Sequence, residues 1–261
     1  MFLKVAVSSL VSRKGSAVMT LMAISVAIFV LLGIEQIRQQ ARESFASTVS
    51  GVDLIVGAKT GSLNLLLYSV FRIGSPTDNI SWQAYREIAD ADDVAWTIPI
   101  SLGDSHKGYR VVGTTEAFFK YFSFGKKRRL AFYKGEAFDG TFDAVLGSEV
   151  ATALGYSMGT EVILAHGLAS ASFTKHDNQP FVVVGVLAPT GTPVDHTIHV
   201  RLEGLEAIHA GGSKVPIGAF APANRPTTNF SEPESITAFM LGLKSRMSTF
   251  NVQRQINEFA G

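Results

Sequence analysis

The chain has 261 residues, 46% of them hydrophobic and 17% charged, with a formal net charge of +1 and no cysteine. That length holds a sizeable core, in one larger domain or two small ones. The near-neutral balance argues against nucleic acid, since no basic tract is long enough for a phosphate-binding stripe. The missing cysteines exclude disulfide scaffolds, thiolate metal sites and cysteine nucleophiles.

Residues 1–14 read as a cytoplasmic, amphipathic N-terminus. Phe2, Leu3, Val5, Ala6 and Leu10 form one apolar helical stripe suited to lie along an inner membrane surface, or an ordinary frayed start. Gly15 to Ile34, GSAVMTLMAISVAIFVLLGI, is a twenty-residue run without a charge. At 1.5 Å per residue it crosses a hydrocarbon core of roughly 30 Å. A cleaved signal peptide would have a shorter apolar core and a small-x-small exit, whereas this run leaves through Ile34-Glu35-Gln36-Ile37. The expectation is a retained transmembrane helix. Lys4, Arg13 and Lys14 precede it, while Arg38 and Arg42 follow, so the positive-inside rule favours a cytoplasmic N-terminus. Residues 35–50 lack glycine and proline and continue the helix as a stalk.

Residues 51–244 then read as an extracytoplasmic domain. Val52 to Val56 is a compact apolar strand. Ser62 to Phe71 is an apolar segment with Ser62 as N-cap, ended by Gly74-Ser75-Pro76. Ser81 opens a short helix with Trp82, Tyr85 and Ile88 at helical spacing. Val94–Leu102 and Tyr109–Thr114 are strands separated by a Gly-Asp-Ser-His turn, and Glu116–Phe122 is an aromatic helix. The basic run Lys126 to Arg129 is a solvated turn between strands. Ala144 to Gly155 joins a strand to a helix capped by Ser148 and closed by Gly155. Gly159–Leu164, Phe181–Leu187 and Thr197–Val200 are strands, the second apolar enough to be buried on both faces. Glu203–Ala210 is helical, Gly211–Pro233 is a loop, and Ile236–Leu243 is a strand. Residues 245–261 are a closing helix with Phe250, Ile256 and Phe259 near one face. The fold class is α+β: one transmembrane helix with a stalk, then a mixed α/β domain, possibly in two lobes parted at the Gly-Ser-Pro and Gly-Gly-Ser breaks.

Two apparent motifs fail on spacing and order. GVDLIVGAKTGS, residues 51–62, looks like a phosphate loop, but five residues separate Gly51 from Gly57 and Ala58 intervenes before Lys59. A Walker A loop needs four residues and an adjacent lysine for its amides to wrap the phosphates. Lys59-Thr60-Gly61 and Ser172-Phe173-Thr174-Lys175 match two serine β-lactamase motifs, but in reversed order. Of the six histidines, His196 and His199 lie near Asp195, but positions three apart on a strand face opposite sides. His106, His166, His176 and His209 stand alone. The reading therefore assigns no metal, no cofactor and no catalytic residue.

The order of several segments resembles the MacB-like, FtsX-related ABC transporter permeases. They are a single N-terminal span, a helical stalk, GVDLIVGAKTGSLNLLLYSVFRIGSP, AVLGSEVATALGYSMGTEVIL and FVVVGVLAPTGTPVDHTIHV. The resemblance covers nearly the whole chain and implies a MacB-like periplasmic core domain with no catalytic residues. It implies pairing as a homodimer or heterodimer of permeases, a cytoplasmic ABC ATPase subunit as partner, and in some members a periplasmic adaptor or lipoprotein. The implied setting is a bacterial inner membrane with the main domain outside the cytoplasm. The implied action is mechanical: ATPase movement passes through helices and stalks to the outer domain, which exports or extracts substrate.

In this light the glycines at 51, 57 and 61 let the chain turn from a rigid helix into the domain. Leu65, Leu66, Leu67, Tyr68, Val70 and Phe71 are candidate interface residues, covering a groove or a dimer mate, or are simply the domain's own core. Family permeases return to the membrane for three more spans, whereas here the chain stops at Gly261 on a returning stalk helix. The expectation is a fragment of a longer permease or a single-pass remnant. The alternative function is a single-pass, membrane-anchored sensor or ligand-binding protein.

Overall fold

A computed structural model describes residues 12–166, 179–209 and 232–259. Most of the amphipathic N-terminus, the Ser172–Lys175 pattern, His176 and most of the Gly211–Pro233 loop lie outside the described residues. The chain divides into two units, one up to Ala46 and one from Ser47 onward.

Helix α1, Lys14–Thr48, forms most of the first unit and runs unbroken for 35 residues, about 50 Å at helical rise, its last two residues belonging to the second unit. Its stretch Lys14–Gln40 is long and apolar enough to cross a membrane, and none of its most apolar window is buried within the structure. Leu21, Phe29 and Leu31 point outward, as an all-round apolar helix requires when lipid is its solvent. The stalk residues add polar contacts of their own, with Arg38 and Glu35 paired at 2.8 Å.

The second unit is built on a ten-stranded mixed sheet. In chain order its larger strands are β1 (Leu54–Gly57), β3 (Val94–His106), β4 (Tyr109–Thr114), β7 (Phe132–Gly135), β8 (Asp143–Leu146), β11 (Phe181–Leu187), β12 (Thr197–Arg201) and β14 (Ala238–Leu243). They lie in the order β1-β14-β3-β4-β12-β8-β11-β7, with β9 (Glu161–Val162) on β11 and β10 (Ala165–His166) on β3. Two pairs are parallel, β4 with β12 and β8 with β11. These central strands are apolar on successive residues because both faces are covered. Short strands β2 (Ile80–Ser81) and β13 (Ser235–Ile236) pair separately, as do β5 (Ser123–Phe124) and β6 (Arg128–Arg129).

The two-residue period of a strand divides the core cleanly. Val112, Val145, Ala238 and Met240 enter one cluster with α2 (Ser62–Ser69) and α4 (Ala117–Tyr121). Their chain neighbours Val111, Ala144 and Leu146 enter a second cluster with α5 (Ser148–Leu154) and α6 (Leu202–His209). Phe239 and Leu241 meet Tyr85 and Ile88 of α3 (Trp82–Ala89) in a third, against which Ile256 of α7 (Thr249–Phe259) packs.

Several local expectations change. The Gly103-Asp104-Ser105-His106 stretch is not a turn; β3 passes through it, and a β-bulge between Leu102 and Ser105 absorbs one extra residue. The hairpin turns at Lys107-Gly108 instead, where both residues have positive φ (48° and 87°), as a two-residue type I′ turn demands. Helix α2 starts after Gly61, not on a Ser62 cap. Helix α5 starts after Gly147, and the Ser148 hydroxyl is buried without a hydrogen-bond partner. Its other end is as read, with Gly155 left-handed at φ 66°. On α7 the inward residues are Val252 and Ile256, one helical turn apart, whereas Phe250 is 82% exposed. The basic run forms a hairpin from Gly125 into β6, and the Arg128 guanidinium sits 4.5 Å over the Phe124 ring.

Candidate functional site

The stretch that mimics a phosphate loop is the seam by which the chain enters the second unit. Beyond Thr48, which is buried, Ser50 bridges to Ser123. The Ser50 N–H donates to the Ser123 carbonyl at 2.8 Å, and the Ser123 hydroxyl donates to the Ser50 carbonyl at 2.5 Å. Gly51 turns the chain there with φ 77°, a value that glycine adopts without a Cβ penalty. Strand β1 then pairs antiparallel with β14, Leu54 opposite Leu241 through Gly57 opposite Ala238.

Asp53 closes this seam. Its N–H donates to the Leu241 carbonyl at 3.0 Å, and its Oδ2 accepts the Leu243 N–H at 2.8 Å. Its Oδ1 lies 3.9 Å from Arg246 Nε, a long pair whose arginine is solvated and worth little. Leu243 and Arg246 are the last steps before α7, so one carboxylate ties the strand that enters the domain to the segment that leaves it.

Helix α2 packs across β1, and Gly57 is what lets it. A Cβ at Gly57 would meet Leu65 Cδ1 at 2.4 Å and Tyr68 Oη at 2.7 Å. The need at Gly57 is therefore close approach rather than a tight turn, and a Cβ at Gly61 meets nothing within 4 Å. Of the candidate interface residues, Tyr68 and Val70 are 3% and 4% exposed and belong to the core. Leu65, Leu66 and Phe71 are partly buried against that core, and Leu67 is half-buried. The exposed apolar residues of the region are Leu63 and Ile73, which the sequence reading did not select.

The chain leaves α2 through Arg72, whose backbone is left-handed at φ 60°, an uncommon and strained value for a side-chain-bearing residue. This turns the guanidinium inward, where it donates to the Ser69 carbonyl. Burial, and then the charge of Arg110, bring its pKa down to about 10. Arg110 on β4 donates to the Gly74 carbonyl, and its Nε is buried without a partner. Arg110 is opposite Thr197 on β12, and Val112 is opposite His199. The strand period therefore puts Arg110, Thr197 and His199 on one face of the sheet. His199 stacks on Phe118 with centroids 4.7 Å apart; burial first, then Arg72, push its pKa down to about 3, so it is neutral. Arg72, Arg110 and Thr197 line a cleft of about 740 Å³ together with Asp195, His196 and Glu149.

The wall of this cleft is the Thr190–Asp195 loop. Asp195 accepts from the Thr190 N–H at 2.9 Å, the Thr190 hydroxyl at 2.9 Å and the Gly191 N–H at 2.7 Å. Gly147 lies so close beneath that a Cβ would meet the Val194 carbonyl oxygen at 2.3 Å. This contact brings the LGSEV and GTPVDH segments together.

The other described histidines serve the fold. His106 is held by the Ile163 carbonyl at 2.7 Å and Tyr156 Oη at 2.8 Å. His209 is 3.0 Å from Asp104, whose hydrogen bond raises its pKa. Among the described residues no group of three histidine or acidic side chains is placed to hold a metal ion.

The chain thus carries a helix long and apolar enough to cross a membrane, followed by an α+β domain. The chain belongs to the MacB-like periplasmic core domain family, whose model matches residues 17–258, and so to the MacB-like ABC transporter permeases, with an N-terminal helix and an extracytoplasmic domain. Among solved structures, the periplasmic region of MacB from Actinobacillus actinomycetemcomitans is 11% identical, with TM-score 0.49, over 81% of this chain and 86% of that one. The extracellular domain of the noncanonic ABC-type transporter YknZ from Gram-positive bacteria is 12% identical, with TM-score 0.43, over 69% and 83%. No curated protein matches the chain.

Proposed function

We propose that this chain is a non-catalytic permease subunit, or part of one, that carries movement from a cytoplasmic ATPase to its extracytoplasmic domain in a bacterial inner membrane. The observation that supports this most is the Asp53 seam. Motion delivered along α1 enters at Ser50 and β1, and β1 is hydrogen-bonded to β14 and, through Asp53, to its last residue Leu243, from which the chain runs on to α7. In this reading α7 is the returning stalk, and the permease works as a dimer with a second permease copy or relative. A tie between entry and exit makes the domain respond as a lever rather than absorb the motion at a soft joint.

Topology and partnership are tested together. The chain has no cysteine, so a single Tyr133→Cys at an exposed site gives a background-free target. A membrane-impermeant maleimide should label it once the outer layers are opened but with the cytoplasmic membrane intact. The full chain, extracted in mild detergent, should bring down an ABC ATPase that hydrolyses ATP. Labelling only after lysis, or purification of the chain without any such ATPase, would contradict the reading.

A further inference from the structure

We propose that the cleft between the end of α2, the β3–β4 hairpin and the Thr190–Asp195 loop is a phosphate-binding site, with Arg72 and Arg110 as its ligating side chains.

Arg72 and Arg110 are each more than nine-tenths buried as residues, yet among the described residues neither has a carboxylate within ion-pair distance, and each donates one hydrogen bond there, to a backbone carbonyl. A guanidinium carries five N–H donors, and burying a charge without a counter-ion is costly. The Nε of Arg110 is fully enclosed with nothing to donate to. The two carboxylates in the cleft do not meet this demand. Asp195 is occupied by the amides and hydroxyl of its own loop, and Glu149 is exposed.

The backbone also bears the mark of a site. Arg72 occupies a left-handed position that glycine would fill without strain, and the side chain gained there is a second positive charge facing the first. His199 does not add to this charge, because burial against Phe118 keeps it neutral. Two unpaired guanidinium forks match a dianion better than a single carboxylate, and phosphate presents the oxygens for two bidentate contacts. The group arrives as free phosphate, inorganic or on a soluble monoester, or as the phosphate of a lipid headgroup. This inference does not depend on the transport reading.

The test uses the full chain in detergent and in phosphatidylcholine nanodiscs. Thermal midpoints are followed while chloride is replaced by inorganic phosphate at constant ionic strength, and separately while phosphatidic acid is added to the nanodiscs. A ligand that binds only the native state raises the midpoint in a saturable way. The expected result is such a rise with at least one phosphate source and none with acetate. The response should weaken at least about tenfold in Arg110→Gln, be partly kept in Arg110→Lys, and be unchanged in the control Lys120→Gln. Response to inorganic phosphate assigns the site to soluble phosphate; response to phosphatidic acid alone assigns it to lipid. The proposal is overturned if neither source moves the midpoint, if acetate acts as well as phosphate, or if Arg110→Gln responds like the parent. Should Arg110→Gln not fold, Arg72→Gly removes the other fork while suiting the backbone, and the same loss of response is expected.

Discussion

The entry seam and the arginine cleft settle their polar groups in opposite ways. At the seam, Ser50 bonds to Ser123, and Asp53 bonds to the main chain of Leu241 and Leu243, so its polar groups are met from within the domain. In the cleft, two buried guanidinium groups are left with one carbonyl each. The first arrangement suits a part that must transmit force without changing its bonds; the second suits a part that exchanges a ligand. Both are built at the ends of the same segment, residues 50–74, which is why one apolar stretch serves two purposes.

Substitutions can break either side of this contrast separately. The largest effect is expected from Gly147→Ala, whose Cβ would press on the Val194 and Asp195 carbonyl oxygens at 2.3 and 2.4 Å. A loss of about 3 kcal/mol should appear in thermal unfolding. Hydrogen exchange should quicken in the Thr190–Asp195 loop while the β1–β14 amides stay protected.

Next is the acid limb of stability. An unfolded histidine takes a proton near pH 6.5, whereas native His199 resists protonation until about pH 3. Stability is therefore complete above pH 6.5 and is lost as pH falls through that window, by about 2 kcal/mol at pH 5. The Asp104-bound His209 acts with opposite sign, its stabilisation being present at low pH and lost as pH rises through its raised value. Comparing the parent with His199→Leu isolates the first contribution: the variant should show a flatter decline between pH 6.5 and 4.

Asp53→Ala comes third. It strips the acceptor from the Leu243 N–H and should cost about 1.5 kcal/mol, with faster exchange at Leu243 and no change in phosphate response. Asp53→Asn keeps an acceptor oxygen and should cost less. The smallest effect lies outside both regions: Ser81→Ala removes the cap that accepts the Ala84 N–H at 3.2 Å and should cost about 1 kcal/mol.

Much of the architecture is legible in the sequence because it rests on local period. The unbroken α1, the two-sided burial of β11, the Ser81 cap and the Gly155 stop follow from residue order alone. Three features escaped for physical reasons. A β-bulge at Leu102–Ser105 resembles a turn in sequence, because glycine and small polar residues serve both. Lys107 has an unusual φ that no side-chain pattern announces. The cleft joins Arg110 to Thr197 through the parallel pairing of β4 with β12 and adds Arg72 from the end of α2 and Asp195 from the loop before β12, residues far apart in sequence. The segment 65–71 shows the limit of composition: Tyr68 and Val70 are core, whereas Leu65, Leu66, Leu67 and Phe71 are only partly buried, a gradation that an apolar run does not announce.

In the proposed mechanism the Asp53 seam moves with the nucleotide state of a partner ATPase. The most direct measurement places one spin label at Met247→Cys, beside the seam and 89% exposed, in the full chain reconstituted with that ATPase. Label spectra should differ between trapped ATP and no nucleotide, and the difference should collapse in Asp53→Ala while ATP hydrolysis continues. Identical spectra in both nucleotide states of the parent would contradict it.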